Sequence, residues 1–208
     1  MDARPSVIIV GAGIGGLTCA LALQQRGLRP LVLEQAPALR EIGAGLQLSP
    51  NAMSVLHQLG LDTALYSKGF LPLGIRSVNW RSGKEAARVP FADLGFHTPY
   101  LHIHRADLQQ ILLDAVLEND PDCVHTGRHV DAIINEGNAA TLMIRHSGSM
   151  TADWVIGADG IHSRCRDYVV RDNQLPRFTG NVAWRGLLRS DALPEHLRPA
   201  PWANIWMG

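Results

Sequence analysis

The 208-residue sequence predicts an α/β fold that opens with a βαβ unit, and three observations carry that expectation. A β-branched run, Val7-Ile8-Ile9-Val10, gives way to Gly11-Ala12-Gly13-Ile14-Gly15-Gly16. A helical stretch then runs through Arg26 and is closed by Gly27, a residue suited to a left-handed C-terminal cap. A second apolar run, Leu31–Leu33, ends in Glu34, followed by Gln35, and both are candidate ligand-binding residues.

Each glycine has a physical task in such a unit. Gly11 allows the tight strand-to-helix turn, Gly13 lets backbone approach a pyrophosphate, and Gly16 lets the helix pack close to the strand. The helix starting near Ile14 and Gly15 presents free N–H groups and the positive end of its dipole to an anion. Glu34 can accept hydrogen bonds from an adenosine ribose and would repel a 2′-phosphate, which favours FAD or NAD over NADP. Glycine clusters also make ordinary loops; the strand–turn–helix context is what selects the dinucleotide reading.

Composition narrows the partners. Lys+Arg and Asp+Glu are both 19, so the net charge is +0 and there is no electrostatic case for nucleic acid or an anionic membrane surface. Cys19, Cys123 and Cys165 lack CxxC spacing, which argues against a disulfide framework or a zinc site and for a reducing, cytoplasmic setting. The uncharged stretch from Ser6 to Gln24 could be mistaken for a signal peptide or membrane span. Its glycines suit a buried strand and helix instead, so the chain reads as neither secreted nor membrane-spanning.

Further elements follow in order. Pro37–Pro50 is glycine-rich without clear periodicity, and Asn51–Leu59 spaces Met53, Leu56 and Leu59 like a short helix ending at Gly60. Ile75–Trp80, the Arg81-Ser82-Gly83-Lys84 turn and Ala86–Val89 read as a strand pair, an insertion leaving the first layer. Tyr100–His104 is a short strand, and a helical stripe of Leu108, Ile111, Leu112, Ala115 and Val116 follows. Val130–Ile134 and Ala140–Ile144 read as a hairpin, and Trp154–Ile156 as a buried strand running into Gly157-Ala158-Asp159-Gly160. From Asn181 onward the pattern is β-like, then proline-rich.

Four stretches together resemble the class A flavoprotein monooxygenases, the FAD-dependent aromatic hydroxylases, and within them the salicylate hydroxylase-like group. They are the glycine-rich turn with Glu34; Gly43-Ala44-Gly45-Leu46-Gln47-Leu48-Ser49-Pro50-Asn51-Ala52; His104-Arg105-Ala106-Asp107-Leu108; and Asp153-Trp154-Val155-Ile156-Gly157-Ala158-Asp159-Gly160-Ile161-His162-Ser163-Arg164-Cys165-Arg166. The resemblance implies a Rossmann-like FAD-binding fold with a β-rich substrate-domain portion, apparently truncated. It assigns residues 1–70 and 100–178 to a discontinuous FAD-binding domain, and 71–99 and 179–208 to a partial substrate domain.

By the same resemblance Asp159 sits near the FAD pyrophosphate and ribityl region, with Gly160 allowing close approach and Ser163 and Arg166 bracing the turn. The plainer reading of Asp159 is a strand-end Asp-Gly turn. Arg105 would pair with the cofactor phosphates; a helix dipole disfavours a cation at that end, and a bound diphosphate would compensate. Arg40, Gly45 and Gln47 would lie against the cofactor, and Val130 beside the adenine. His102 and His104 alternate on one strand face and could mimic a metal pair, but without a third ligand they fit hydrogen-bonding roles better. Trp184-Arg185-Gly186 resembles the start of the substrate sheet, although a strand tryptophan is more often core.

The activity implied is hydroxylation of a small phenolic or benzoate-type aromatic with NADH or NADPH and O₂, through a C4a-hydroperoxyflavin. The family brings a further Gly-Asp cofactor motif in its second half, and no Gly-Asp dipeptide occurs here. By the same resemblance the pocket acid–base groups are expected mainly beyond residue 208. A sheet cut short in this way would leave apolar surface uncovered, since helices normally cover both faces of a parallel layer. A non-catalytic FAD- or ADP-binding module, an inactive fragment and an NAD-dependent dehydrogenase stand as alternatives.

Overall fold

The computed structural model describes residues 5–39, 44–170, 175–195, 198 and 200–208. In chain order its first elements are β1 (Val7–Val10), α1 (Ile14–Gln24), β2 (Pro30–Leu33), β3 (Gly45–Leu48), α2 (Pro50–Gln58) and α3 (Asp62–Lys68). Next come β4 (Gly74–Asn79), β5 (Glu85–Pro90), β6 (Leu101–His104), α4 (Arg105–Asn119) and β7 (Val124–His125). The last are β8 (Val130–Asn135), β9 (Ala140–Ile144), β10 (Gly148–Ala152), β11 (Trp154–Gly157), α5 (Arg164–Val170) and β12 (Ala203–Met207). They pack as two compact units, Met1–Glu41 with Leu108–Ala183, and Ile42–Asp107 with Trp184–Gly208. This is a division by packing, whereas the boundaries expected from sequence divide the chain by ligand.

The first unit is built on a parallel sheet of order β11-β1-β2-β7. All four residues of β1 are buried, as expected of a β-branched strand covered on both faces. Gly16, Leu17, Ala20 and Leu21 are the buried residues of α1. Gln24 of α1 donates to the Val116 carbonyl of α4 at 3.1 Å and accepts from Asn119 at 3.4 Å, so the two helices are joined edge to edge. Helix α1 ends two residues before Arg26. Gly27, at φ +78°, donates to the Gln24 carbonyl, and Leu28 to that of Leu23, the paired bonds of a Schellman cap.

The other face departs from expectation. Ile8, Val10 and Leu33 pack against Val130, Leu142, Ile144 and Ala152 of an antiparallel sheet of order β10-β9-β8, with Cys165 of α5 completing the cluster. An antiparallel sheet can bury one apolar face and leave the other in solvent, so it covers a face of the parallel layer where uncovered apolar surface was expected. The β8–β9 hairpin turns at Glu136-Gly137-Asn138, where Asn135 Oδ1 accepts the Gly137 N–H at 2.8 Å.

β11 is not the buried strand expected. Among the described residues it pairs with β1 alone and forms the edge of the sheet, and its Trp154 is 72% exposed. Apolar composition signals an affinity for burial; position in the sheet decides whether it is met.

In the second unit, β4 pairs antiparallel with β5 across the Arg81–Lys84 turn and parallel with β12. Asn79 Oδ1 accepts the N–H groups of Arg81 and Ser82, which fixes that turn. β3 pairs antiparallel with β6. Residues 181–189 form no strand, Trp184 is 94% exposed rather than core, and β-structure resumes only at β12. There Arg76 of β4 donates to Asn204 at 2.7 Å. No helix among the described residues is long and apolar enough to cross a membrane.

Candidate functional site

The glycines of the first turn divide into two kinds. Gly11 sits at φ +105°, and a Cβ there would lie 2.4 Å from the Ala158 carbonyl oxygen. A Cβ on Gly16 would lie 1.9 Å from the Gly11 carbonyl oxygen. Both are glycines because the turn, α1 and the end of β11 meet at backbone distance. Gly13 and Gly15 have nothing within 4 Å of an added Cβ, so their openness serves no internal packing. Gly13 is the N-cap of α1 with no side-chain capping bond, and the first helical turn carries no acid. The leading amides of α1 therefore have no side-chain cap and fit an anion.

Glu34 is tied down at the mouth of this turn. Its Oε2 accepts the Ala12 N–H and its Oε1 the Ala36 N–H, each at 2.8 Å. Gln109 of α4, itself buried, donates to the Ala12 carbonyl at 3.0 Å. Each carboxylate oxygen keeps a free lone pair, so a hydroxyl approaching from the solvent side can still be accepted.

Asp159 has a local task that sequence reasoning left unread. Its Oδ1 accepts the Ser163 hydroxyl at 2.5 Å, and its Oδ2 accepts the N–H groups of Arg164 and Cys165 at 2.7 and 3.2 Å. Ser163 Oγ in turn accepts the Arg166 N–H at 2.8 Å. The first three amides of α5 are thereby satisfied, with a carboxylate at the positive end of the helix. Arg166 also donates to the Ile161 carbonyl at 3.0 Å, bracing the intervening turn. Burial, with Asp159 nearby, pushes the Cys165 thiol up to about 12, and burial with Asp120 nearby pushes Cys123 up to about 11. Neither supplies a thiolate nucleophile near neutral pH.

Seven of the residues singled out from sequence, Gly11, Gly13, Glu34, Gln35, Val130, Asp159 and Gly160, line one cleft of about 310 Å³ in the first unit. Ile14, Gly15 and Gly16 form the first turn of α1 beside it. The same cleft is lined by Arg128, His129, His162 and Arg164, which sequence reasoning did not single out as site residues. Their signal was positional: two directly precede Val130, and two closely follow Gly160. Two of them, Arg128 and Arg164, set guanidinium groups in the cleft opposite the carboxylates of Glu34 and Asp159.

The remaining candidates lie in the second unit, apart from Arg40, which is outside the described residues. Gly45 opposes His104 and Gln47 opposes His102 in the β3–β6 pair, and the Arg105 N–H donates to the Ala44 carbonyl at 2.9 Å. Tyr100 donates its hydroxyl to Gln47 at 3.3 Å. His104 Nδ1 accepts the Ala106 N–H at 3.3 Å, so this histidine serves the start of α4. Among the described residues no group of three His, Cys, Asp or Glu side chains could hold a metal ion.

Comparison with known proteins places this geometry. A family model described as "FAD binding domain" matches residues 4–208. The chain is 38% identical over 211 aligned residues to 3-amino-4-hydroxybenzoate 2-monooxygenase of Streptomyces cremeus, covering 100% of this chain and 52% of that protein. It is 36% identical to 3-hydroxybenzoate 6-hydroxylase 1 of Aquipseudomonas alcaligenes, covering 98% and 52%. Among solved structures it is similar to CtdE in complex with FAD and a substrate, with TM-score 0.74 and 25% identity over 85% of this chain and 43% of that one. A Klebsiella pneumoniae HpxO variant complexed with FAD gives TM-score 0.70 and 28% identity, covering 78% and 41%. The chain spans about half the length of the curated relatives it matches.

Proposed function

The chain belongs to the FAD binding domain family, in company with the class A aromatic hydroxylases, and on that premise we propose that its cleft holds the ADP half of FAD. The observation that carries this reading is the pairing of an uncapped α1 N-terminus at Gly13 with the pinned carboxylate of Glu34 in one cleft. In this reading the leading amides of α1 receive the pyrophosphate, Glu34 accepts from the ribose hydroxyls, and Val130 lies beside the adenine. Asp159 holds α5 and the Gly160 turn in place, so backbone there can approach the cofactor. Arg105, Gly45 and Gln47 serve the phosphates and the flavin side, as does Arg40. The FAD-holding residues then fall in 1–70 and 100–178, and the substrate-side residues in 71–99 and 179–208.

The activity we infer for the protein is hydroxylation of a small phenolic or benzoate-type aromatic, with NADH or NADPH and O₂ as co-substrates. The names of the relatives support it, as two of them denote an aminohydroxybenzoate monooxygenase and a hydroxybenzoate hydroxylase. Bound flavin would supply the redox and oxygen chemistry; this chain's residues bind it, orient it and exclude water from it.

The test is the visible absorption of the purified chain after FAD addition and desalting, followed by NADH oxidation with and without salicylate. Retained flavin supports the binding reading, and oxidation stimulated by the aromatic supports hydroxylation. Retained flavin without oxidation favours a non-catalytic binding module. Nicotinamide binding without a flavin spectrum would favour a dehydrogenase.

A further inference from the structure

We propose that Arg128 is the platform on which the adenine ring stacks, a positioning residue that none of the sequence motifs marks. The inference rests on the reading that the cleft takes the ADP half of FAD. If the pyrophosphate meets Gly13 and the ribose meets Glu34, the base must extend along the cleft past Glu34. The chain that lies there is fixed by two backbone bonds, Arg128 N–H to the Glu34 carbonyl at 2.7 Å and Gly127 N–H to that of Ala36 at 2.9 Å. Arg128 and Val130 both line the cleft at that place, with Leu33 and Val10 as aliphatic wall.

The state of the Arg128 side chain is what singles it out. Its guanidinium donates to Ser147 Oγ at 2.7 Å, from the turn between β9 and β10, which limits its rotation. Two other arginines of this unit are committed to carboxylates, Arg145 to Asp131 and Arg166 to Asp167, both at 2.6 Å. Among the described residues no carboxylate pairs with Arg128. A half-buried, planar cation tethered by a neutral hydroxyl keeps its faces for another flat group, and a guanidinium stacks on aromatic faces as an ammonium cannot. Charge alone would serve a phosphate equally well, but the phosphates in this reading lie at the opposite side of Glu34.

The experiment is calorimetric titration of adenosine, ADP and FAD into the full chain, wild type and with Arg128→Ala, Arg128→Lys and Ser147→Ala. Thermal melts of each variant report folding. The expected result is a loss of about tenfold in affinity for all three ligands in Arg128→Ala, equal for adenosine and ADP. Arg128→Lys recovers only a small part of it, and Ser147→Ala loses a few-fold by freeing the guanidinium. Unchanged adenosine binding, or a loss that grows with phosphate and is restored by lysine, would overturn the proposal while leaving the cleft reading intact. Wild-type protein that binds none of the three ligands would overturn both.

Discussion

Glu34 Oε2 accepts the backbone N–H of Ala12 at 2.8 Å, which ties the carboxylate that ends β2 to the turn that ends β1. With the matching bond from Ala36, this one side chain serves two backbone donors of different segments. Glu34→Ala would leave both amides without a protein partner in a part-buried setting, at a cost of about 1–3 kcal/mol. Urea unfolding should show that loss before any ligand is added. ADP affinity should also fall, by about tenfold, and a variant of unchanged stability would contradict the structural half of the assignment.

Gly13 and Gly16 should separate packing from ligand approach. Gly13 has φ −71°, which alanine adopts freely, and an added Cβ meets nothing within 4 Å. Gly13→Ala is expected to leave stability within about 0.5 kcal/mol of wild type yet weaken ADP and FAD binding. Gly16→Ala drives a Cβ into the Gly11 carbonyl and should destabilise by about 1–3 kcal/mol. Equal effects of both on stability would remove the distinction.

Helix α5 depends on its polar start. Ser163→Ala removes the acceptor for the Arg166 N–H and is expected to cost about 1 kcal/mol. Asp159→Ala strips the partners of Ser163, Arg164 and Cys165 together and should cost more. Chemical denaturation of the two variants, ranked against wild type, checks the order.

The buried thiols set a limit on the alkaline side. Cys165 and Cys123 are raised in the folded chain from the ordinary value of 9.0 to about 12 and about 11. Between pH 9 and those values the unfolded chain loses protons that the folded chain keeps, so stability present below pH 9 declines as pH rises. Urea midpoints at pH 8 and pH 10 should show the decline, and Cys165→Ala should flatten it. An equal slope in that variant would assign the decline to other groups.

Much of this was legible in the residues, because local geometry and sequence pattern agree there. Val7–Val10, the Gly11–Gly16 turn, Gly27 and Leu31–Leu33 each combine a propensity with a required backbone state, and β1, α1 and β2 follow. The hairpin of β8 and β9 was legible from Asn135-Glu136-Gly137-Asn138. Elements that depend on tertiary partners were not. Gly148–Ala152 carries only Met150 as a large apolar residue and is held as β10 by its pairing with β9, and Asp62–Lys68 is too short to show a helical stripe. Trp154 was misread because composition cannot tell an edge strand from an inner one. Seven site candidates share one cleft, but Arg128 has no motif, and its place comes from the register of backbone bonds around Glu34.

Hydrogen–deuterium exchange of the full chain with and without saturating FAD tests the central claim most directly. Binding at the cleft predicts slowed exchange in peptides covering residues 11–17, 34–36, 127–130 and 158–165, with little change in β4, β5 and β12. Flavin that stays bound while those four segments exchange at their ligand-free rates would contradict it.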